Sequence, residues 1–412
     1  TGKINDPRCV GSITNLVTGK VLDDGRDMDD PPSWGDPVDP DNLPPDFFTS
    51  SSYVKAAGGW SPAGRPATGA TNLPDSAFAD GIVCDEGITL LSQLAAGDTQ
   101  FFLGVGFKKP HLAFYAPQDC WDLYSRDDFD IHPFQDHPTN AVSYTWNYSN
   151  ELKTYDDFNP YIPGYIDATN IPPDKQKELI HGYYACVSHI DDQVGRLLDA
   201  LEATGLHTNT IVVLWGDHGF HLGDHAEWGK HTNLEQATRV PMIIYSPFTG
   251  VSGATADTPA NFTDLYPTIC ELAGLPLPEQ PLDENESPTE RASGLVLKGS
   301  SLVPVMENPA SSIRAGSLSI YRRSGTMGYA YRTGQYRLIE WISTGSKKTL
   351  ARELYDYESD PMETLNLATR PSHSSVLYNL SHAMRSEPEA AGCPVLGAST
   401  PLTSPGTIVC FR

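Results

Sequence analysis

No stretch of roughly 18 apolar residues occurs in this 412-residue chain, so no segment is expected to span a bilayer. Positive charge is scarce, with 28 Lys and Arg against 52 Asp and Glu and a formal net charge of −24. That balance excludes a nucleic-acid partner, whose phosphates would be repelled. A small anionic substrate remains compatible, because the field in a pocket is set mostly by the few charges nearest to it. The seven cysteines contain no C-x-x-C pair, which argues against a zinc ribbon or a thioredoxin-like motif. A G-x-S-x-G elbow and a Walker loop are both missing, which removes the usual serine hydrolases and nucleotide enzymes. The Asp- and Pro-rich stretch from Asp23 to Asp41 lacks EF-hand ligand spacing and reads as a solvated loop. The chain opens at Thr1 with no charged-then-apolar leader, so any secretion signal is expected either to have been removed or to lie outside this sequence.

The length suits one large α/β domain plus a smaller one. Residues 1–80 are rich in Gly, Pro, Asp and Ser and show little periodicity, as long functional or peripheral loops do. Helical spacing begins near Asp85 with Ile88, Leu90, Leu91 and Leu94, and Phe101 to Val105 suits a short buried strand. Pro172 and Pro173 open a helix over Asp174–Thr204, with an apolar stripe through Ile180, Tyr184, Val187, Ile190, Val194 and Leu198, and Gly205 stops it. Ile211–Trp215 and Val240–Tyr245 are β-branched runs expected as strands buried on both faces, and Asn261–Ala273 as a helix. Strands alternating with helices predict an α/β fold with a doubly wound, largely parallel sheet flanked by helices. After about Pro304 the pattern changes to antiparallel strands at Ser317–Tyr321, Gly328–Tyr331 and Tyr336–Ile342, then a helix near Ser374–Met384. The expected division is therefore a catalytic domain over 1–305, a small antiparallel α+β subdomain over 306–390, and an irregular tail over 391–412, where Cys393 and Cys410 could close a loop. Asn147, Asn261, Asn285 and Asn379 each open an N-x-S/T sequon, which together with the cysteines leans towards a secreted or lysosomal setting.

Three pieces carry chemistry. The segment Trp215-Gly-Asp-His-Gly-Phe-His-Leu-Gly-Asp-His-Ala-Glu-Trp-Gly-Lys-His-Thr-Asn233 places Asp217 and His218 at the C-terminal end of a strand, where open α/β sheets bind ligands. Asp supplies a hard oxygen and His a nitrogen, and Lys230 brings a fixed positive charge after a Gly-bearing loop. An Asp that merely caps a turn among surface histidines would not explain the whole cluster. In Phe107-Lys-Lys-Pro-His-Leu-Ala-Phe114, Pro110 stiffens a turn that presents Lys109 and His111. Alone, such a turn is more often a surface feature; beside the first segment the balance reverses. Thr1-Gly-Lys3 says little by itself.

The order Gly-Lys, Lys-Pro-His, Asp-His-Gly, Trp-Gly-Lys resembles the sulfatase family of the alkaline-phosphatase-like superfamily. So do Ala237-Thr-Arg-Val-Pro241 and Glu353-Leu-Tyr-Asp-Tyr-Glu-Ser-Asp-Pro-Met-Glu-Thr-Leu-Asn-Leu367, while Tyr184–Leu198 is similar to the long helix of the iduronate-2-sulfatase branch. The resemblance implies hydrolysis of a sulfate ester, on a sulfated uronic acid or related polysaccharide, by a formylglycine hydrate made from Cys or Ser. It implies a Ca2+ ion that polarises the sulfate, with Asp217 and His218 at the metal and Lys3, Lys109, His111 and Lys230 around the sulfate. Lys3, His111 and Lys230 match the positions that contact the sulfate and move protons.

Two features depart from the family pattern. The Cys/Ser-x-Pro-x-Arg motif and the early Asp pair are absent, and both normally precede Gly-Lys; a missing segment or a second chain is expected to supply them. Asp6 stands where the iduronate-sulfatase pattern has His. Two other readings stay open. One is a zinc-dependent phosphodiesterase or phosphonate hydrolase of the same superfamily, with His221, His225 and His231 as extra ligands. The other is a non-catalytic protein that binds sulfated glycans.

Overall fold

The computed structural model describes residues 66–146, 151–162, 171–249, 251–277 and 298–387, together with two short strands near the N-terminus. Lys3, Asp6, the Asp23–Asp41 stretch and the tail with Cys393 and Cys410 lie outside the described residues. The chain forms two compact units that do not follow chain order: residues 1–133, 148–208 and 227–229 make one, and residues 134–147, 209–226 and 230–412 the other.

In the first unit, β1 (Ile13–Asn15) and β2 (Lys20–Leu22) pair antiparallel, and β3 (Thr68–Thr71) pairs parallel with β4 (Phe114–Pro117). Helix α1 runs Ala79–Ala95, α2 Gln118–Asp122, and α3 Pro173–Ala203. Helix α3 starts where the sequence predicts, because Pro at the first helical position lacks only an amide that would have no partner there. It ends at Gly205, whose φ of 75° suits a residue without Cβ. Its buried face differs from the expected stripe. Leu179, Ile180, Gly182, Ala185, Cys186, His189 and Gln193 point inwards, whereas Tyr184, Val187 and Leu198 are exposed. Small residues win the inner face because α3 lies close to β4: a Cβ on Gly182 would come within 2.9 Å of the Phe114 side chain. Two expectations are corrected here. Helix α1 begins six residues earlier than Asp85, at Ala79. Phe101–Val105 forms no strand, and Phe102 is exposed. A short apolar run is compatible with several conformations; the described strand next to Lys-Pro-His is β4, which follows the turn.

In the second unit, β5 (Val212–Trp215) and β6 (Met242–Tyr245) pair antiparallel, with α4 (Glu235–Thr238) between them in sequence. Helix α5 (Leu265–Leu272) and the short α6 (Val303–Glu307) precede a four-stranded meander. Its strands are β7 (Gly316–Arg323), β8 (Thr326–Thr333), β9 (Tyr336–Ser343) and β10 (Thr349–Asp356), in the order β10-β9-β8-β7 and antiparallel throughout. Alternation along the strands gives the sheet two apolar faces. Tyr329, Tyr331 and Ile342 pack with Met384 of α7 (Ser374–Ser386) on one face. Leu234, Ala330, Ile339, Trp341 and Tyr355 pack together on the other. Each large side chain buried this way contributes about 1.5–3 kcal/mol. The Glu353–Leu367 stretch is a structural latch. Asp360 accepts the amides of Thr364 and Leu365 at 2.6 and 2.9 Å. Asn366 accepts the Leu354 amide at 3.0 Å and donates to the Asn140 carbonyl at 2.9 Å.

Candidate functional site

Strand β5 delivers the Asp-His pair, and the turn after it is held by backbone bonds to the segment before β6. Gly216 donates to the Pro241 carbonyl at 3.1 Å and Gly219 to the Ala237 carbonyl at 2.9 Å. A Cβ on Gly219 would lie 1.9 Å from the Gln236 carbonyl oxygen, so this approach requires glycine. His218 donates from Nδ1 to the Gly219 carbonyl at 2.8 Å, because a carbonyl only accepts. Its Nε2 stands 3.6 Å from an Asp217 carboxylate oxygen, and in the neutral ring Nε2 is the nitrogen that carries the lone pair. A hard oxygen and an imidazole nitrogen at that spacing, both half-buried, fit two positions of a divalent cation's shell, and a cation there would need further ligands.

Beyond this pair the loop turns inwards. His221, Asp224 and His225 are buried, with one ligand-type atom of each lying within 4.8 Å of the others. Asp224 accepts from His221 Nδ1 and, at 2.9 Å, from His225 Nδ1; the Leu222 amide donates to its other oxygen at 3.0 Å. Burial opposes ionisation of Asp224, but the two imidazoles outweigh it and hold the carboxyl well below its usual range. The far nitrogen of His221 meets the Thr232 hydroxyl at 2.7 Å, tying the loop to the residues after Lys230. His225 and Ala226 have φ of 53° and 60°, left-handed conformations that side chains other than Gly disfavour. His231, offered with His221 and His225 as a zinc ligand in the alternative reading, lies against the Tyr321 ring instead, at 5.7 Å between centroids. Hydrogen bonds to Asp224 account for Nδ1 of both His221 and His225. Lys230 is half-buried at the end of this loop, and Thr232, Asn233 and Leu234 after it are buried.

The Lys-Pro-His turn belongs to the other compact unit. Asp80, in the first turn of α1, accepts the amides of Lys108 and Lys109 at 2.6 and 3.1 Å, which fixes the start of the turn. Lys109 is buried, and its ammonium donates to the carbonyls of His111, at 3.1 Å, and Ala113. Burial lowers its pKa, opposed by nearby negative charge including Asp80. His111 is half-buried, donates from Nδ1 to the Leu112 carbonyl at 2.6 Å, and has Nε2 3.4 Å from a Glu151 carboxylate oxygen. An acceptor beside each ring nitrogen fixes the orientation of the imidazole. Neither Asp80 nor Glu151 was legible as a site neighbour: Asp80 reads as an ordinary helix-start acid, and Glu151 carries no local signal. Four described cysteines, Cys84, Cys120, Cys186 and Cys270, are unbridged and buried. Burial pushes the Cys120 and Cys186 thiols up to about 12, which leaves them inert.

Asp217 and His218 thus stand side by side at the end of β5, and Lys230 lies at the end of the loop that follows. A family model described as sulfatase matches residues 51–275, more than half of the chain, and one described as N-sulphoglucosamine sulphohydrolase, C-terminal, matches residues 223–389. The chain belongs to the sulfatase family. It is 28% identical to iduronate 2-sulfatase of Mus musculus over 371 residues, covering 75% of this chain and 65% of that protein. It is 32% identical to a sulfatase of Formosa agariphila, covering 65% of this chain and 46% of that one. The chain thus spans about two thirds or less of these relatives' lengths. Among solved structures it is similar to a protein in complex with its substrate D-glucosamine-2-N,6-O-disulfate (TM-score 0.62, 20% identity, 77% of this chain and 71% of that one). It is also similar to a phosphonate monoester hydrolase from Silicibacter pomeroyi (TM-score 0.59, 20% identity, 82% and 64%). These likenesses identify the alkaline-phosphatase-like α/β fold. No described helix is long and apolar enough to cross a membrane.

Proposed function

We propose that the chain forms the larger part of an enzyme that hydrolyses sulfate esters on a sulfated sugar, a uronic acid or related polysaccharide. The observation that carries this reading is the Asp217–His218 pair, with His218 Nδ1 committed to a backbone carbonyl and Nε2 left beside the carboxylate. Asp217 and His218 would hold a Ca2+ ion, which when bound polarises the sulfate and favours ionisation of the nucleophile. Lys230 and Lys3 neutralise the sulfuryl oxygens as negative charge grows on them. His111, oriented by the Leu112 carbonyl and Glu151, protonates the departing alkoxide oxygen. Lys109 acts on the same chemistry through the backbone of His111 and Ala113. The nucleophile, a formylglycine hydrate, comes from a segment or chain outside residues 1–412, as no Cys/Ser-x-Pro-x-Arg motif occurs within them. The four sequons support passage through a secretory route to a secreted or lysosomal location, although Asn379 sits within α7.

The test is sulfate release from sulfated uronate and glucosamine saccharides by the chain assembled with its nucleophile-bearing segment. Chelation by a calcium-selective reagent and Asp217→Asn should each abolish turnover. Zinc-dependent hydrolysis of a phosphonate or phosphodiester in preference to sulfate esters would replace this reading with the phosphonate-hydrolase one. Tight binding of the saccharides without turnover would establish the glycan-binding alternative.

A further inference from the structure

The backbone that follows Lys230 is held by the C-terminal meander at successive residues. Arg323, at the end of β7, donates to the His231 carbonyl and also to the carbonyls of Tyr144, at 2.9 Å, and Thr145, at 3.2 Å. Its guanidinium lies over the Tyr321 ring at 4.8 Å, the ring that also faces His231. Arg337, on β9 and fully buried, donates to the Asn233 carbonyl at 3.1 Å, pairs with Glu235, and meets Glu363 at 2.7 Å. Glu363 in turn accepts the Glu235 amide at 3.0 Å. Gly328 on β8 leaves room for Asn233, whose side-chain nitrogen would stand 2.4 Å from a Cβ there. Leu234 is buried in the apolar cluster of β8, β9 and β10.

The Gly-Lys-His segment is thereby fastened at 231, 233, 234 and 235 to the sheet. Side chains on rigid elements hold a charge in place far better than a free loop does, and electrostatic stabilisation depends on that preorganisation. We propose that Arg323 and Arg337 are positioning residues for Lys230: the meander is the template that sets where this lysine stands. Arg323 is the more direct of the two, since it grips the carbonyl of the residue next to Lys230. Its planar fork serves three carbonyls at once, a task a lysine ammonium performs poorly. This inference rests on the proposed role of Lys230 at the sulfate.

The experiment uses the full chain and inorganic sulfate as the probe, with two readouts. Amide hydrogen exchange over residues 231–235 reports the clamp itself. Sulfate affinity, measured in the wild type, Arg323→Gln, Lys230→Ala and the double variant, reports its consequence. Arg323→Gln should speed exchange at 231–235 and weaken sulfate about tenfold, since it removes hydrogen bonds from a charged donor. It should have no further effect on affinity in the Lys230→Ala background, because both changes remove the same interaction. Arg323→Lys should recover only part of the loss. Unchanged exchange in Arg323→Gln, additive losses in the double variant, or full rescue by Arg323→Lys would overturn the proposal, the last by showing that charge alone matters. Should Lys230→Ala leave sulfate affinity intact, the reading of Lys230 fails, while hydrogen exchange still decides whether Arg323 holds the loop. Arg337→Lys provides a second variant for the same exchange readout if Arg323→Gln does not fold.

Discussion

Lys109 and Lys230 lie in sequence motifs that look alike, a lysine and a histidine on a short loop, yet the two loops are built in opposite ways. At 107–114 the lysine is a structural donor: its ammonium is buried and turned onto the carbonyls of His111 and Ala113, and the histidine is the group in play. At 228–235 the backbone is held by residues from elsewhere, Arg323 and Arg337 above all, and the lysine itself is half-buried. The first turn is stabilised by its own lysine, the second by side chains from distant strands.

The largest expected effect tests the external frame. Arg337→Met strands the fully buried Glu363 without its cation, leaves Glu235 with Arg332 alone of its two close partners, and should destabilise the protein by about 3–5 kcal/mol, read as the shift in urea-unfolding free energy. If stability barely moves, the loop does not depend on this frame. Next comes Lys230→Ala, which should lower kcat for sulfate-ester hydrolysis by roughly 100-fold or more while leaving the melting temperature near that of the parent. Lys109→Met should show the reverse profile. It leaves two carbonyls without their donor, costs about 1–3 kcal/mol in stability, and affects turnover less than Lys230→Ala does. Equal losses of stability and equal losses of turnover in the two lysine variants would erase the contrast.

The smallest expected effect is a pH slope. The folded-state pKa of Asp224 is depressed, and so is that of Glu235, where burial is outweighed by Arg337 and Arg332. Each therefore stabilises the fold fully above its unfolded value, near pH 4, and loses that contribution as pH falls towards the folded value. Urea titrations between pH 7 and pH 3 should show a shallower acid loss in Asp224→Asn than in the parent. Identical slopes would mean that the two histidines do not hold that carboxylate charged.

Much of this arrangement was readable in one dimension. The start and stop of α3, the meander after residue 304 and the Asp-His-Gly turn all rest on local rules: proline at a helix start, glycine at its end, alternation in strands, and a polar pair after an apolar run. The candidate site residues Asp217, His218, His111 and Lys230 were named on the same grounds, reinforced by the order of motifs, and their roles remain the proposal made above. The inward face of α3 was misread because bulk counts in periodicity, whereas close contact with β4 selects Gly182, Ala185 and Cys186. The 101–105 strand was misread because a short apolar run is compatible with several conformations.

Local spacing along the chain set the elements and the chemical types of the side chains, since helix and strand periods repeat within a few residues. The use made of each side chain came from partners far away in sequence. Lys109 is fixed by Asp80, 29 residues away; His231 is held by Arg323, 92 residues away; and Asn233 by Arg337, 104 residues away. Burial and pairing at such separations exist only once the chain has packed, and they decide which turn is held by its own lysine and which by residues from another part of the chain.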